Sequence, residues 1–507
     1  MDKIQVRRFI SIFLAIGVSL ATSTGAWANV TLPSVLDNHM VVQRDRPIHI
    51  WGWADPQEKV SVTFRGAQVG ATANALGQWS VYLPASKAGG PFEMVIQGAN
   101  TLTWDDILVG DVWIASGQSN MEFHLAKDEW DNSGADDWQH VVAQANEPKL
   151  RLLQVAKKTA TYPMQNAITS GWLDCTPQVA ASFSAVAYFF GRELIAKEKI
   201  PIGIIEADWG GTPAEAWTSL DALSADPALM PVFATRAHMM DGQADFFLSK
   251  TLAEKAAVAA RAEGKTPLPL PWHQDPDAFG PGQLFNAMIA PLTPLSIRGV
   301  IWYQGESNTD VLRAPMYARL FPALIQDWRK QWAQGDFPFL FVQIANFNSL
   351  DAWPTVRESQ RKALTLTNTG MVVTVDIGNP TDIHPHDKYD VGHRLALWAE
   401  DLSFGGQVED SGPLFRQAAQ ENGQMRVWFD HAASGLAVKG GTLTGFEVAG
   451  ADKNFVTAQA KVDGDTVLAS STAVPNPVYV RYAWAANPNC PLDNRDGLPA
   501  SPFSSVP

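Results

Sequence analysis

Ile107-Leu108-Val109-Gly110-Asp111-Val112-Trp113-Ile114-Ala115-Ser116-Gly117-Gln118-Ser119-Asn120-Met121 is a mostly apolar run that closes on a glycine, a glutamine and a serine. An apolar run bounded by a glycine turn reads as a buried strand. Runs of the same kind recur at 202–207, 298–303 and 339–344, while 185–199 and 317–332 carry apolar residues at helical spacing. Strands alternating with helices predict a mostly parallel α/β sheet with helices on both faces. Functional groups in such folds gather beyond the carboxyl ends of the strands. Ser119, Gly210 and Gln304 each stand just after one of these runs.

The pattern changes on either side. Residues 29–106 hold short, partly alternating runs such as Ile48-His49-Ile50-Trp51 and Val60-Ser61-Val62-Thr63-Phe64, separated by turn-rich pieces. They predict a small β-sandwich-like domain. Residues 107–405 form the α/β unit, interrupted at about 219–280 by an Ala-rich helical insertion and a connection stiffened by Pro267, Pro269 and Pro271. From 406 to 507 short strands return, predicting a second β-rich module. Residues 1–28 read as a cleavable secretory signal: Lys3, Arg7 and Arg8, then a short apolar stretch, then Ala26-Trp27-Ala28. The expectation is a secreted or periplasmic protein, free of the membrane once the leader is removed.

The chain has 507 residues, enough for more than one core. Hydrophobic residues at 46% and charged residues at 18% describe a globular protein rather than a disordered one. A formal charge of −14 without a basic block argues against a nucleic-acid partner, because phosphate binding needs clustered Lys and Arg. Only Cys175 and Cys490 are present, which rules out a cysteine-rich zinc module. Pairing of the two and separate buried thiols both remain open, as does the oligomeric state.

Far downstream, Asp382-Ile383-His384-Pro385 brings a carboxylate and an imidazole into one short loop. A serine hydroxyl is a poor nucleophile until a positioned base takes its proton, and an acid that holds the imidazole completes the set. Acyl transfer also needs donors for the oxyanion. Trp209-Gly210-Gly211-Thr212 and Gln304-Gly305-Glu306-Ser307-Asn308 offer backbone N–H groups and side-chain amides. Met121 stands where a lipase-type Gly-x-Ser-x-Gly elbow has its second glycine, which disfavours that class. No metal-ligand set accompanies His384 and His386, so neither metal nor cofactor is expected. A rival enzyme reading makes Asp208 and Glu306 a glycosidase pair, but it leaves Ser119 and His384 without a task. A non-catalytic carbohydrate-binding protein is the reading from a different class.

These motifs resemble the sialate O-acetylesterases, members of the SGNH hydrolase superfamily. The likeness rests on Gly-Gln-Ser-Asn-Met at 117–121, Trp-Gly-Gly-Thr-Pro-Ala-Glu-Ala-Trp at 209–217, Trp-Tyr-Gln-Gly-Glu-Ser-Asn at 302–308 and Asp-Ile-His-Pro at 382–385. The resemblance implies a flavodoxin-like three-layer sheet and removal of O-acetyl groups from a sugar through an acetyl-serine. Ser119 is then the nucleophile, His384 the base and Asp382 its orienting acid. The implied oxyanion donors are Ser119, Gly210, Gly211 and Gln304. Asn120, Trp209, Glu306, Asn308 and Arg357 are candidate substrate contacts. Thr381 stands where the superfamily has its usual acid, and a Gly-x-Asn-Asp block is missing. Relatives act on plant polysaccharides as well, so acetylated xylan or xyloglucan is the alternative substrate.

Overall fold

The computed structural model describes residues 29–127, 134–234, 243–265 and 277–507, without the side chains of 243–247. The leader and the three insertion prolines lie outside these residues. The first β part contributes β1 (Val41–Gln43), β2 (Ile48–Trp53), β3 (Lys59–Phe64), β4 (Ala67–Thr72), β5 (Gln78–Leu83) and β6 (Gly89–Gln97). Burial alternates residue by residue in β2, β3 and β5, as half-buried strands require.

β7 (Thr101–Gly117) is one strand of 17 residues that serves two sheets. Its first half pairs with β6 and β1. Its second half, from Asp111, pairs in parallel with β10 (Ile202–Asp208) on one side and β11 (Gly299–Tyr303) on the other. The change of character seen in the sequence at 106/107 therefore falls inside a continuous strand. Beyond these lie β8 (Glu147–Gln154) with the antiparallel β9 (Leu173–Cys175), and on the opposite flank β12 (Phe339–Val342) and β13 (Thr369–Val372). The order across the central sheet is β13-β12-β11-β7-β10-β8-β9.

Every residue of β10, β11, β12 and β13 is buried, the signature of a parallel sheet covered on both faces. Successive side chains divide between two cores. Val300 and Trp302 pack with Leu320, Phe321 and Trp328 of the helix Ala314–Trp332, and with Val356 of Trp353–Ala363. Ile301 and Tyr303 point the other way, toward the helices Ala185–Glu198 and Lys388–Phe404. The Ala-rich insertion is a helix over Gln243–Ala262.

The last hundred residues are antiparallel β. One four-stranded sheet contains Leu414–Glu421 and Gln424–Asp430, and another contains Phe446–Ala449 and Tyr479–Tyr482. Arg357 ties this module to the α/β part: its guanidinium donates to the carbonyls of Ile344, Ala345, Ala485 and Ala486. Fully buried and saturated in this way, Arg357 cannot meet a substrate, and that expectation is corrected. Cys175 and Cys490 are both free thiols. Among the described residues no helix is long and apolar enough to cross a membrane.

Gly117 sets the spacing at the carboxyl end of β7. Its φ is +141°, and an added Cβ would come within 2.1 Å of the Tyr303 carbonyl oxygen on β11. Both the conformation and the space exclude a side chain. Gly117→Ala is expected to destabilise the fold by about 3 kcal/mol or more, read as a lower midpoint in urea unfolding. A variant with an unchanged midpoint would contradict this account of the strand junction.

Candidate active site

β7 ends at Gly117, and Ser119 opens a single helical turn, Ser119–Glu122. A residue at a helix start has no intrahelical acceptor for its N–H. Among the described residues the Ser119 N–H makes no intrachain hydrogen bond. The Ser119 hydroxyl lies 2.9 Å from His384 Nε2, across 265 positions of chain. Ser119 is 8% exposed and His384 half-buried. A hydroxyl in hydrogen-bond contact with an imidazole can pass its proton to the ring as it attacks an electrophile.

Asp382 takes a different place from the one anticipated. Its Oδ1 is 3.9 Å from His384 Nδ1, too far for a hydrogen bond, and instead accepts the backbone N–H of His384 at 2.9 Å. Its Oδ2 is 3.3 Å from His386 Nε2. Asp382 thus braces the loop rather than gripping the His384 ring. Ile383 packs against the main core as an anchor, and Asp387 caps the following helix by accepting the Asp390 N–H.

The turn after β10 lies against Ser119. A Cβ at Gly210 would come within 3.2 Å of the Ser119 Cβ, so the missing side chain lets the backbone pack closely against Ser119. The Gly210 N–H is already engaged, donating at 2.5 Å to Glu122 Oε2. Glu122 also pairs with Lys157. Gly211, at φ +76°, makes the turn, and its N–H has no intrachain partner among the described residues. Of the anticipated backbone donors, the N–H groups of Ser119 and Gly211 remain available, whereas that of Gly210 is spent.

The amide side chains make hydrogen bonds within the protein as well. Gln304 is fully buried, donating to Thr212 O at 3.2 Å and Asn308 Oδ1 at 2.7 Å, while Tyr317 donates to its oxygen. Asn308 donates to Glu215 and accepts the Ala214 N–H. The structure thus places Gln304, expected as an oxyanion donor, and Asn308, expected as a substrate contact, in internal hydrogen bonds. Asn120 donates to Glu306 Oε1 at 2.7 Å and to Ile383 O at 3.0 Å, and accepts from Lys388 Nζ at 2.6 Å. It joins the Ser119 turn, the β11 loop and the histidine loop. Its contacts are internal, and so is that of Glu306. Burial pushes the Glu306 carboxyl above its ordinary range. Trp209 is half-buried at the site, whereas Trp217, Trp302 and Trp353 are core.

Glu122, one turn beyond Ser119, is the residue missed by reading the sequence. Its only signal there was a carboxylate three positions after the serine. Beneath the Gly210 turn lie Glu206 and Asp208, both on β10 and both buried. Burial pushes Glu206 up to about 8, and it accepts hydrogen bonds from the Ser184 N–H and Gln154. Asp208 is raised well above its usual range by burial and by the neighbouring Glu206 and Glu122.

The family described as carbohydrate esterase, sialic acid-specific acetylesterase, matches residues 109–227 and 244–399. A sialate O-acetylesterase of Homo sapiens is 30% identical, over 93% of this chain and 91% of its own length. That of Mus musculus is 29% identical, over 95% of each. A solved carbohydrate acetylesterase from Xanthomonas citri superposes with a TM-score of 0.80 at 40% identity, covering 94% of this chain and 99% of that one. Fold, site and likeness together define an ester hydrolase whose substrates are carbohydrates. The chain belongs to the sialic acid-specific acetylesterase family of carbohydrate esterases.

A raised carboxyl is a liability as pH climbs. Glu206 folds best as the neutral acid, so its contribution to stability is complete below about pH 4.5 and is lost as pH rises through about 8. The melting temperature is expected to fall between about pH 5 and pH 8, and Glu206→Gln should flatten that slope. Identical slopes in the two proteins would remove Glu206 from the balance.

Proposed function

We propose that this chain is an exported serine esterase that removes O-acetyl groups from carbohydrates through an acetyl-serine intermediate. The observation that carries the reading is the 2.9 Å contact between the Ser119 hydroxyl and His384 Nε2 at the end of β7. In the first half-reaction Ser119 Oγ attacks the acetyl carbonyl while its proton passes to His384 Nε2. The Ser119 and Gly211 N–H groups stabilise the oxyanion. The C–O bond to the sugar then breaks, and the departing sugar oxygen takes the proton from His384. In the second half, water gives a proton to the same imidazole and attacks the acetyl-enzyme, releasing acetate and restoring Ser119. Asp382 is a positioning residue that keeps the His384 backbone in place.

The scaffold assigned here is the flavodoxin-like SGNH arrangement. In its favour, setting aside β8 and the edge strand β9 leaves β10-β7-β11-β12-β13, which in chain order is 2-1-3-4-5. Residues 29–106, 107–405 and 406–507 are taken as its three units, the outer two accessory β modules. The basic-then-apolar leader at 1–28 supports export. For the sugar, the curated relatives carry the name sialate O-acetylesterase, which favours an O-acetylated sialic acid. Acetylated hemicellulose is the alternative, and acetate release from O-acetylsialic acid against acetylated xylan and xyloglucan decides between them.

Ser119→Ala and His384→Ala are each expected to lower kcat for acetate release by roughly a thousandfold or more, with the fold kept. Asp382→Asn should cost only about tenfold, because the carboxylate acts on the loop and not on the ring. Ser119→Ala retaining most of the activity would overturn the mechanism.

A further inference from the structure

β2 and β5 pair antiparallel, and their two faces differ. Ile48, Ile50, Trp79, Val81 and Leu83 go into the core, while His49, Trp51 and Trp53 share the other face with Gln78 and Tyr82. There the His49 ring stacks on Tyr82, with centroids 4.4 Å apart and planes 9° apart, and on Trp51 at 4.9 Å and 21°. Trp53 continues the row. A cleft of about 480 Å³ runs along this aromatic face, closed on its far side by residues of the α/β part, among them Gln165 and Pro294. It shares no residue with the Ser119 site.

Three properties of the cleft select its occupant. Half-exposed indoles present flat apolar faces of the kind that stack on the C–H face of a pyranose ring. Side-chain amides form a directed chain along the wall: Asn74 donates to Gln78 and Gln78 donates to Gln165. The Gln165 NH2 at its end has no intrachain acceptor among the described residues, and amides of this kind suit sugar hydroxyls. Among the described residues no Lys, Arg, Asp or Glu lines the cleft. His49, the one ionisable group among the described lining residues, is held toward the neutral form by burial, with Nδ1 3.0 Å from the Pro294 carbonyl oxygen. An anionic sugar would find no counter-charge here, in contrast to the paired Arg and Lys contacts that carboxylates favour.

We propose that the cleft between the β2–β5 face and the α/β part is a second, non-catalytic binding site for a neutral oligosaccharide chain, with Trp51 and Trp53 as stacking platforms and Gln78 and Gln165 as hydroxyl partners. The site acts on how the polymer is held and not on the acyl chemistry, so it stands whatever residue proves to be the nucleophile.

The test is calorimetric titration of the full chain with cellohexaose, xylohexaose and 3′-sialyllactose. At least one neutral hexasaccharide is expected to bind at least about tenfold more tightly than sialyllactose. Trp53→Ala should weaken that binding by about tenfold, and Trp53→Phe by no more than about threefold, with hydrolysis of p-nitrophenyl acetate unchanged in both. Gln165→Ala, an exposed change on the opposite wall, gives a second reading should Trp53→Ala fold poorly, and is expected to weaken binding about threefold. The proposal is overturned if neither hexasaccharide binds, if sialyllactose binds as well as they do, or if a folded variant on either wall binds like the wild type.

Discussion

The carboxyl ends of β7 and β11 meet where Gly117 has no side chain to hold them apart, and the rest of the site is hung on that junction. Because the backbones touch there, the Gln118 N–H reaches the Tyr303 carbonyl and the Gln118 side chain accepts from the N–H groups of Gly305 and Ser307. Ser119 follows at once. Its position is therefore set by sheet geometry and not by a free loop. On the other flank the β10 turn packs against Ser119 through Gly210, with a looser fit. The residues that bring two neighbouring strands against the serine are thus glycines: a Cβ has no room at Gly117 and would be tight at Gly210.

A buried polar network carries the remaining constraint. Asn120 spans three segments, with Glu306, Ile383 and Lys388 as its partners. Gln304, Asn308 and Glu215 form a second set beneath the β10–β11 crevice. Buried polar groups of this kind are costly unless each is satisfied, and satisfied they specify one arrangement. The Asn120 set ties the histidine loop to the Ser119 turn, and the second set ties the β11 loop to the segment after β10. The same logic explains Arg357, whose guanidinium is saturated by carbonyls at the seam with the C-terminal module.

Much of this was legible in the sequence because apolar runs and glycine turns are local signals. The runs at 107–115 and 202–207 lie within strands, those at 298–303 and 339–344 contain the shorter strands Gly299–Tyr303 and Phe339–Val342, and Ser119 and His384 meet. Two kinds of information were not legible. The β7 strand begins at Thr101, before the apolar run, because pairing with β6 overrides the weak local signal of Asp105 and Asp106. Nor did the sequence disclose which amides are already spent: the partners of Gln304, Asn120 and Arg357 lie up to 268 positions away. Residue type and proximity to a motif marked these side chains as donors, and only their partners reveal them as scaffold. Glu122 escaped for the same reason, since its meaning depends on Gly210.

The likeness to carbohydrate acetylesterases and the serine–imidazole contact converge on one chemistry from independent directions, the first from the whole chain and the second from a single pair of atoms. The most direct measurement of the central claim is peptide-resolved mass spectrometry after inactivation by a serine-directed fluorophosphonate. The account predicts one phosphonyl adduct on the Ser119 hydroxyl, gained in step with the loss of esterase activity. Complete inactivation with Ser119 unlabelled and an adduct elsewhere would contradict it.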